Sequence, residues 1–427
     1  MAGSDTIVAL SSGRAPSAIG VVRVSGPQAR VAATGLAGPL PTPRRVSLRA
    51  LRDPDGALLD RALVLVFPGP RSATGEDLIE LHCHGGRAVV TAVIETLIAT
   101  PGVRHAEPGE FTRRALLNGR IDLAQAQGLA DLLEAETEAQ RRAALTASEG
   151  RLSGVVRDWL ARLAMLSAQV EATLDYAEDG DVAAEASILE LVRSDAAELR
   201  REIERALAAP PVERLKDGVR VVIGGPPNSG KSTLLNLLAE REAAIVSPYK
   251  GTTRDLIEAP LVRNGVAYLF ADTAGLNDAI DEIERIGVAR AKASIAAADL
   301  LLWLGDDLPP RKDAIWVHAR ADLPGRGVRP AGPTVTLRQD EPLSVAAVWE
   351  EVDRRARALL PLPDDLPFKA GQRAACETVV ENLELGDDPL LSAERLRVAT
   401  KTLSSLLGLD ASGQVLDALF GRFCLGK

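Results

Sequence analysis

The chain has 427 residues, too many for one ordinary core, so two or three domains are expected. Its 50 Lys and Arg against 59 Asp and Glu give a net charge of −9, which argues against an indiscriminate polyanion binder, and aromatics at 3% leave little for stacking bases. The absence of a long apolar run and of a secretory-type start, with only three cysteines (Cys83, Cys376, Cys424), points to a cytoplasmic protein with no membrane span and no disulfide framework.

From Thr6 to about Ala115, short apolar runs alternate with turn residues. Thr6–Leu10, Ile19–Val24 and Leu63–Phe67 read as strands and Ala88–Thr100 as a helix, an α+β domain over residues 1–117. Near Asn118 the texture becomes Ala-, Leu- and Glu-rich. Leu152, Val155, Val156, Trp159, Leu163, Leu166, Val170 and Leu174 form one helical stripe; Ile188, Val192, Leu199, Ile203 and Leu207 form another. These long helices are the first part of a helical bundle, residues 118–212. Pro210-Pro211 and the proline-rich stretch 361–367 bracket an alternation of strands and helices, residues 213–360. Beyond it the helical pattern returns in 361–427, with Leu396, Ala399, Leu403 and Leu406 on one face. The expected fold is therefore multidomain α/β: an N-terminal α+β domain and a helical domain interrupted by an inserted doubly wound, Ras-like P-loop domain.

The inserted segment carries the chemistry. A strand pattern, Val219–Ile223, runs directly into Gly225-Pro226-Pro227-Asn228-Ser229-Gly230-Lys231-Ser232, which is G-x-x-x-x-G-K-[ST] in its strand-to-helix context. Asn228, Ser229, Gly230, Lys231, Ser232 and Thr233 are thus candidates to wrap nucleotide phosphates, with Lys231 supplying charge and the Ser232 hydroxyl suited to Mg²⁺. Asp272-Thr273-Ala274-Gly275 ends a second strand whose hairpin is signalled by Asn264-Gly265; Asp272 suits the metal through water, and the Gly275 amide suits the γ-phosphate. Between them, Thr252 and Thr253 sit in a polar loop where a threonine completes the Mg²⁺ shell. This is a GTPase switch cassette. Leu276 stands where many such enzymes place a water-orienting glutamine. The acidic run 281–284 is the nearest substitute, or else the solvated first turn of the next helix.

Taken in order, Ser17–Pro27, Thr74–Gly86, Pro108–Ala115, Asn118–Ala126, the cassette and the ending Phe423-Cys424-Leu425-Gly426-Lys427 resemble the tRNA-modification GTPase family called MnmE or TrmE, over nearly the whole chain. The resemblance implies an N-terminal folate-binding and homodimerising domain. It also implies action with the flavin (FAD) protein MnmG, or GidA, in a heterotetramer-type complex that installs an aminomethyl-type group on the wobble uridine of tRNA. The one-carbon unit would come from 5-formyl- or methylene-tetrahydrofolate. By matching positions, Arg23, Glu80 and Arg120 would contact the folate with Lys427 close by, Glu284 would position the attacking water, and Cys424 would reach the modification centre. Asn228, with Ser247, Tyr249 and Thr252, would cage a K⁺ ion that stimulates GTP hydrolysis when two G domains meet.

The base-recognition motif departs from the pattern. After the strand Ile315–His318, the usual N-K-x-D reads Ala319-Arg320-Ala321-Asp322. Asp322 retains its acceptors for guanine N1–H and N2–H, while Ala319 cannot make the asparagine contacts; loss of one contact costs on the order of 1 kcal/mol, so guanine preference is expected to weaken and not vanish. Val335-Thr336-Leu337-Arg338 is the best counterpart of the second base loop. His82-Cys83-His84 has no second ligand pair at zinc spacing and reads as strand residues near the folate pocket. An alternative from another class is a GTP-dependent ribosome-assembly or RNA-binding switch that shares only the G domain.

Overall fold

The computed structural model describes residues 5–176, 182–239, 258–272, 292–326, 331–362, 364–366 and 368–409, together with 420 and 426. The chain separates into two compact units: residues 1–130 with 148–157 and 403–427, and residues 131–147 with 158–402.

In the first unit the elements run β1 (Thr6–Leu10), β2 (Ile19–Ser25), α1 (Ala29–Ala37), β3 (Ser47–Arg52), β4 (Leu58–Phe67), β5 (Leu78–His84), α2 (Arg87–Ile98), β6 (Val103–His105) and α3 (Glu110–Leu117). The strands form one sheet in the order β3-β4-β5-β2-β1-β6, antiparallel except for the β1–β6 pair. Strand alternation gives this sheet two different faces. Ile79, Leu81 and Cys83 of β5 join Val22, Val24 and the apolar sides of α1 and α2 in the main core. On the opposite side Ile7, Ala9, Phe67 and Leu78 pack on Phe111 of α3, and the same face carries Arg23, Glu80 and His82.

The helices that follow are α4 (Leu123–Glu134), α5 (Glu138–Ser148), α6 (Arg151–Tyr176), α7 (Val182–Leu207) and the single turn α8 (Glu213–Lys216). Leu152, Val156, Trp159, Leu163, Leu166 and Val170 of α6 are buried. In α7 Leu189, Val192, Ala196, Leu199 and Ile203 are buried, whereas Ile188 is exposed. Leu189 and Ala196 lie seven residues, about two helical turns, apart and so share the inward face that Ile188 misses.

The second unit carries the other sheet, built from β7 (Val219–Gly224), β8 (Glu258–Arg263), β9 (Val266–Asp272), β10 (Leu300–Trp303), β11 (Ile315–His318) and β12 (Val335–Thr336). Its order is β12-β11-β10-β7-β9-β8, parallel except for the β8–β9 hairpin. Such a sheet must be covered on both faces. Leu234, Leu235 and Leu238 of α9 (Lys231–Ala239) and Val345, Val348, Trp349 and Val352 of α10 (Pro342–Ala358) cover one. Val222, Leu301, Ala271 and Ala298 belong to the other. Helices α11 (Ala370–Asn382) and α12 (Pro389–Leu406) follow, α12 burying Leu396, Ala399, Leu403 and Leu406. The chain is thus multidomain α/β with two separate mixed sheets. Among the described residues no helix is long and apolar enough to cross a membrane.

Candidate functional site

The central strand β7 delivers the chain into a tight loop that only particular backbone angles permit. Gly225 has φ 151°, and a Cβ there would fall 2.8 Å from Ser229 Oγ. Asn228 follows with φ 59° and Gly230 with φ 97°, after which α9 begins. Lys231, 4% exposed, points back into this loop: its Nζ donates to the carbonyls of Gly225 at 3.0 Å and Pro226 at 2.9 Å. Burial lowers its pKa, and the nearby Asp272 carboxylate opposes the shift. Ser229 Oγ is buried without a hydrogen-bond partner among the described residues. An orphaned hydroxyl in a loop around a cation is what an incoming phosphate oxygen would satisfy.

Asp272 ends β9, directly opposite Ile223 in the parallel register with β7, and is fully buried. Its Oδ2 accepts from Ser232 Oγ at 2.6 Å. Hydroxyl and carboxylate oxygens side by side are hard donors of the kind Mg²⁺ prefers, so the residues fit that ion beside the phosphates. Thr233 occupies the same first turn of α9. On the far side, Arg320 Nη1 donates to the Asn228 carbonyl at 2.7 Å, which brings the 319–322 loop onto the phosphate loop. Ser247, Tyr249, Thr252, Thr253, Thr273, Ala274, Gly275 and Glu284 lie outside the described residues.

The first unit holds a second polar cluster. Arg23 and Glu80 are register partners on β2 and β5, and Arg23 Nε donates to Glu80 Oε1 at 2.8 Å. The other Glu80 oxygen meets His82 Nε2 at 3.3 Å, a neighbour two residues along the same strand face. Arg120 stands instead over the loop 74–76, where a Cβ on Gly75 would lie 3.2 Å from Arg120 Cγ, and Asn118 Nδ2 donates to the Thr74 carbonyl at 2.7 Å. That loop is tied to β2, because Ser25 Oγ donates to Glu76 Oε2 at 2.8 Å. The C-terminal segment also arrives here: Ser11 Oγ donates to the Gly426 carbonyl at 2.7 Å, at the end of β1. Cys424 and Lys427 lie outside the described residues.

The three-residue His82-Cys83-His84 run is split by strand alternation. Cys83 enters the core, where burial and then the Asp60 charge push its thiol up to about 12. His84 Nδ1 pairs with Asp60 at 2.7 Å instead. Among the described residues no group of His, Cys, Asp and Glu is arranged to hold a metal.

One constellation is hidden in the sequence. Glu110 accepts from Arg104 Nη1 at 2.8 Å and Nη2 at 2.6 Å, from the Glu107 amide at 2.8 Å and from Arg114 Nη2 at 3.0 Å. Arg114 also bonds Asp5 and Glu76. Glutamate and arginine four residues apart on a short helix are its one local signal. This network holds α3, and α3 delivers Asn118 and Arg120. Beside it, Gly109 at φ 70° leaves room for Phe420, whose carbonyl oxygen would lie 2.5 Å from a Cβ there.

Known proteins resemble the chain end to end. A family model described as the GTP-binding protein TrmE N-terminus matches residues 6–120, and one described as the MnmE helical domain matches residues 123–424. A tRNA modification GTPase MnmE of Erythrobacter litoralis is 49% identical over 427 residues, covering 99% of this chain and 100% of that protein. Its counterpart in Novosphingobium aromaticivorans is 49% identical over 437 residues, with coverage of 99% and 100%. That of Zymomonas mobilis is 42% identical over 432 residues, again covering 99% and 100%.

Proposed function

Because the chain belongs to the tRNA modification GTPase MnmE family, and so hydrolyses GTP in tRNA modification, we propose that this hydrolysis drives formation of a 5-(carboxymethyl)aminomethyl-type wobble uridine. The alternative, a ribosome-assembly switch sharing only the G domain, fails against a likeness that spans 99% of the chain.

The observation that carries the reading is the assembled phosphate loop, with Lys231 inside it and Ser232 joined to Asp272. GTP phosphates replace the loop carbonyls at Lys231 Nζ, which neutralises charge on the β- and γ-oxygens. Ser232 and Asp272 are the residues that would hold Mg²⁺, which supplies charge stabilisation at the same oxygens. Thr253 would complete the Mg²⁺ shell, Asn228 with Ser247, Tyr249 and Thr252 would cage a stimulating K⁺, and Thr273, Ala274 and Gly275 would meet the nucleotide, the Gly275 amide at the γ-phosphate. Glu284 orients the attacking water. Arg23, Glu80 and Arg120, with Lys427 close by, bind the tetrahydrofolate derivative, and Cys424 reaches that site with the C-terminal tail. The domains follow residues 1–117, 118–212, 213–360 and 361–427. The active assembly is a cytoplasmic homodimer joined to the FAD-dependent MnmG protein and to tRNA.

Two measurements on the full chain test this. Hydrolysis of GTP should be faster in K⁺ than in Na⁺, and equal rates would remove the K⁺ cage. Equilibrium dialysis with 5-formyltetrahydrofolate should show binding that Arg23→Ala weakens, and no binding to the wild type would remove the folate role.

A further inference from the structure

The end of the site that should select the base is where this chain departs most from the N-K-x-D pattern. Ala319 is 2% exposed and packs in the apolar cluster with Ile315, Val317, Leu337 and Val345. An asparagine there would offer an amide donor; the alanine methyl offers neither donor nor acceptor. Arg320 follows in the left-handed region at φ 59°. From that position its guanidinium reaches the Asn228 carbonyl at 2.7 Å. Its stem crosses Gly230, since a Cβ on Gly230 would lie 3.7 Å from Arg320 Cγ and 4.0 Å from Cδ. One side chain therefore ties the base loop to the phosphate loop and covers its glycine. Asp322 is half-buried, and its Oδ1 accepts from the Gln339 amide at 3.4 Å. Two backbone bonds fasten the flanking loops: Leu337 N–H to the His318 carbonyl at 2.9 Å, and Ala321 N–H to the Leu337 carbonyl at 3.1 Å.

We propose that this chain selects its nucleotide base by one edge only: Asp322 reads the N1–H and N2–H donors of a guanine, Arg320 positions the base loop against the phosphate loop, and purine N7 goes unread. The inference rests on the phosphate loop being the nucleotide site. A carboxylate matches two adjacent N–H donors and repels the N1 lone pair of adenine, so guanine is still preferred. The N7 contact needs a donor at position 319, and that position is now part of the core. Arg320 replaces a flexible ammonium with a planar fork, which holds the Asn228 carbonyl while its stem lies along Gly230.

Competition binding on the full-length protein, with a fluorescent guanosine diphosphate as reporter, tests each part. GTP and 7-deaza-GTP should bind within about twofold of one another, while inosine triphosphate, lacking the 2-amino group, should bind roughly five- to tenfold more weakly. Tenfold weaker binding of 7-deaza-GTP than GTP would overturn the proposal, and so would equal binding of inosine and guanosine triphosphates. Ala319→Asn should create N7 dependence, raising the preference for GTP over 7-deaza-GTP by roughly fivefold. If that buried substitution does not fold, the wild-type comparison decides alone. Arg320→Ala should weaken all guanine nucleotides together, with Arg320→Lys restoring most of the loss; unchanged affinity in Arg320→Ala refutes its positioning role. Failure of every nucleotide to bind would refute the phosphate-loop reading itself, an outcome distinct from any change in these ratios.

Discussion

Glu110→Gln is the sharpest test of how the first unit holds its polar cluster. The carboxylate is almost buried and accepts four N–H groups, two from Arg104, one from the Glu107 amide and one from Arg114. The amide keeps the shape, loses the charge and turns donors toward donors. The Arg104 side chain is 43% exposed, so its share is screened; the Arg114 side chain is 5% exposed and carries most of the loss. Breaking a buried pair outright costs about 3–5 kcal/mol, and because Arg114 keeps Asp5 and Glu76 we expect about 2–3 kcal/mol. That corresponds to a fall in Tm of roughly 5–10 °C for a unit of this size. The pH dependence fixes the cause. Burial alone would raise the pKa of Glu110, but Arg104, the Glu107 amide and Arg114 hold it below its ordinary 4.5. Its contribution is therefore full above pH 4.5 and disappears as pH falls through the lower folded value. Thermal melts by circular dichroism at pH 7, 5, 4 and 3.5 should show the wild-type advantage shrinking below 4.5. All four tryptophans lie in the second unit, so their fluorescence serves as an internal control that should move less. A wild-type advantage constant across pH would refute the charge argument and leave only packing.

Other outcomes follow from the same geometry. Lys231→Met should weaken GTP binding by roughly 10- to 100-fold in calorimetry, since charged hydrogen bonds to phosphate are lost; retained affinity would contradict the role of the loop. Glu284→Ala should slow hydrolysis by roughly 100-fold or more while GTP still binds, measured by phosphate release beside the binding isotherm. In Gly109→Ala a Cβ must fit 2.5 Å from the Phe420 carbonyl at a left-handed φ of 70°, so the site loses about 1–3 kcal/mol. Limited proteolysis should then cut the C-terminal tail faster; an unchanged cleavage rate would show that Phe420 is not held there.

Features set by neighbours along the chain are legible in the amino-acid sequence. The hairpin at Asn264-Gly265 needs two left-handed residues, and the backbone has φ 49° and 78° there. The phosphate loop, the strand Ile315–His318 and the end of β9 at Asp272 are equally local. Features set by partners far along the chain are not legible in this way. Strand β3 reads Ser-Leu-Arg-Ala-Leu-Arg, with no β-branched residue, and exists because β4 pairs with it. The run Pro108–Arg114 is prominent as a motif, yet its Glu110 and Arg114 serve a buried ion network anchored by Asp5, 109 residues from Arg114. His82 meets Glu80 only because a strand puts alternate residues on one face, whereas Arg120 reaches the loop at Gly75 through a turn of the chain that no periodicity encodes.

The proposed insertion of residues 213–360 illustrates the same division. Prolines mark both boundaries, but they say nothing about whether the two ends meet. They do meet: the Val212 amide donates to the Phe368 carbonyl at 3.2 Å, and Arg373 reaches the carbonyls of Leu207 and Ala209 at 2.7 and 2.9 Å, satisfying the C-terminal end of α7. Between these contacts sits α8, a helix of four residues, too short to be stable by itself. Each of its charged side chains is spent on a different neighbour. Glu213 accepts from the Ala370 amide at the start of α11, Arg214 donates to Asp299 at 2.7 Å beside β10, and Lys216 donates to Asp131 of α4 at 2.7 Å. Asp299 in turn accepts from the Arg220 amide of β7 at 3.0 Å, the strand that leads into the phosphate loop. Arg214 thus ties α8 to Asp299 beside β10 and, through the Arg220 amide, to β7, while Glu213 and Lys216 tie it to α11 and α4, so that turning α8 breaks bonds to all of them.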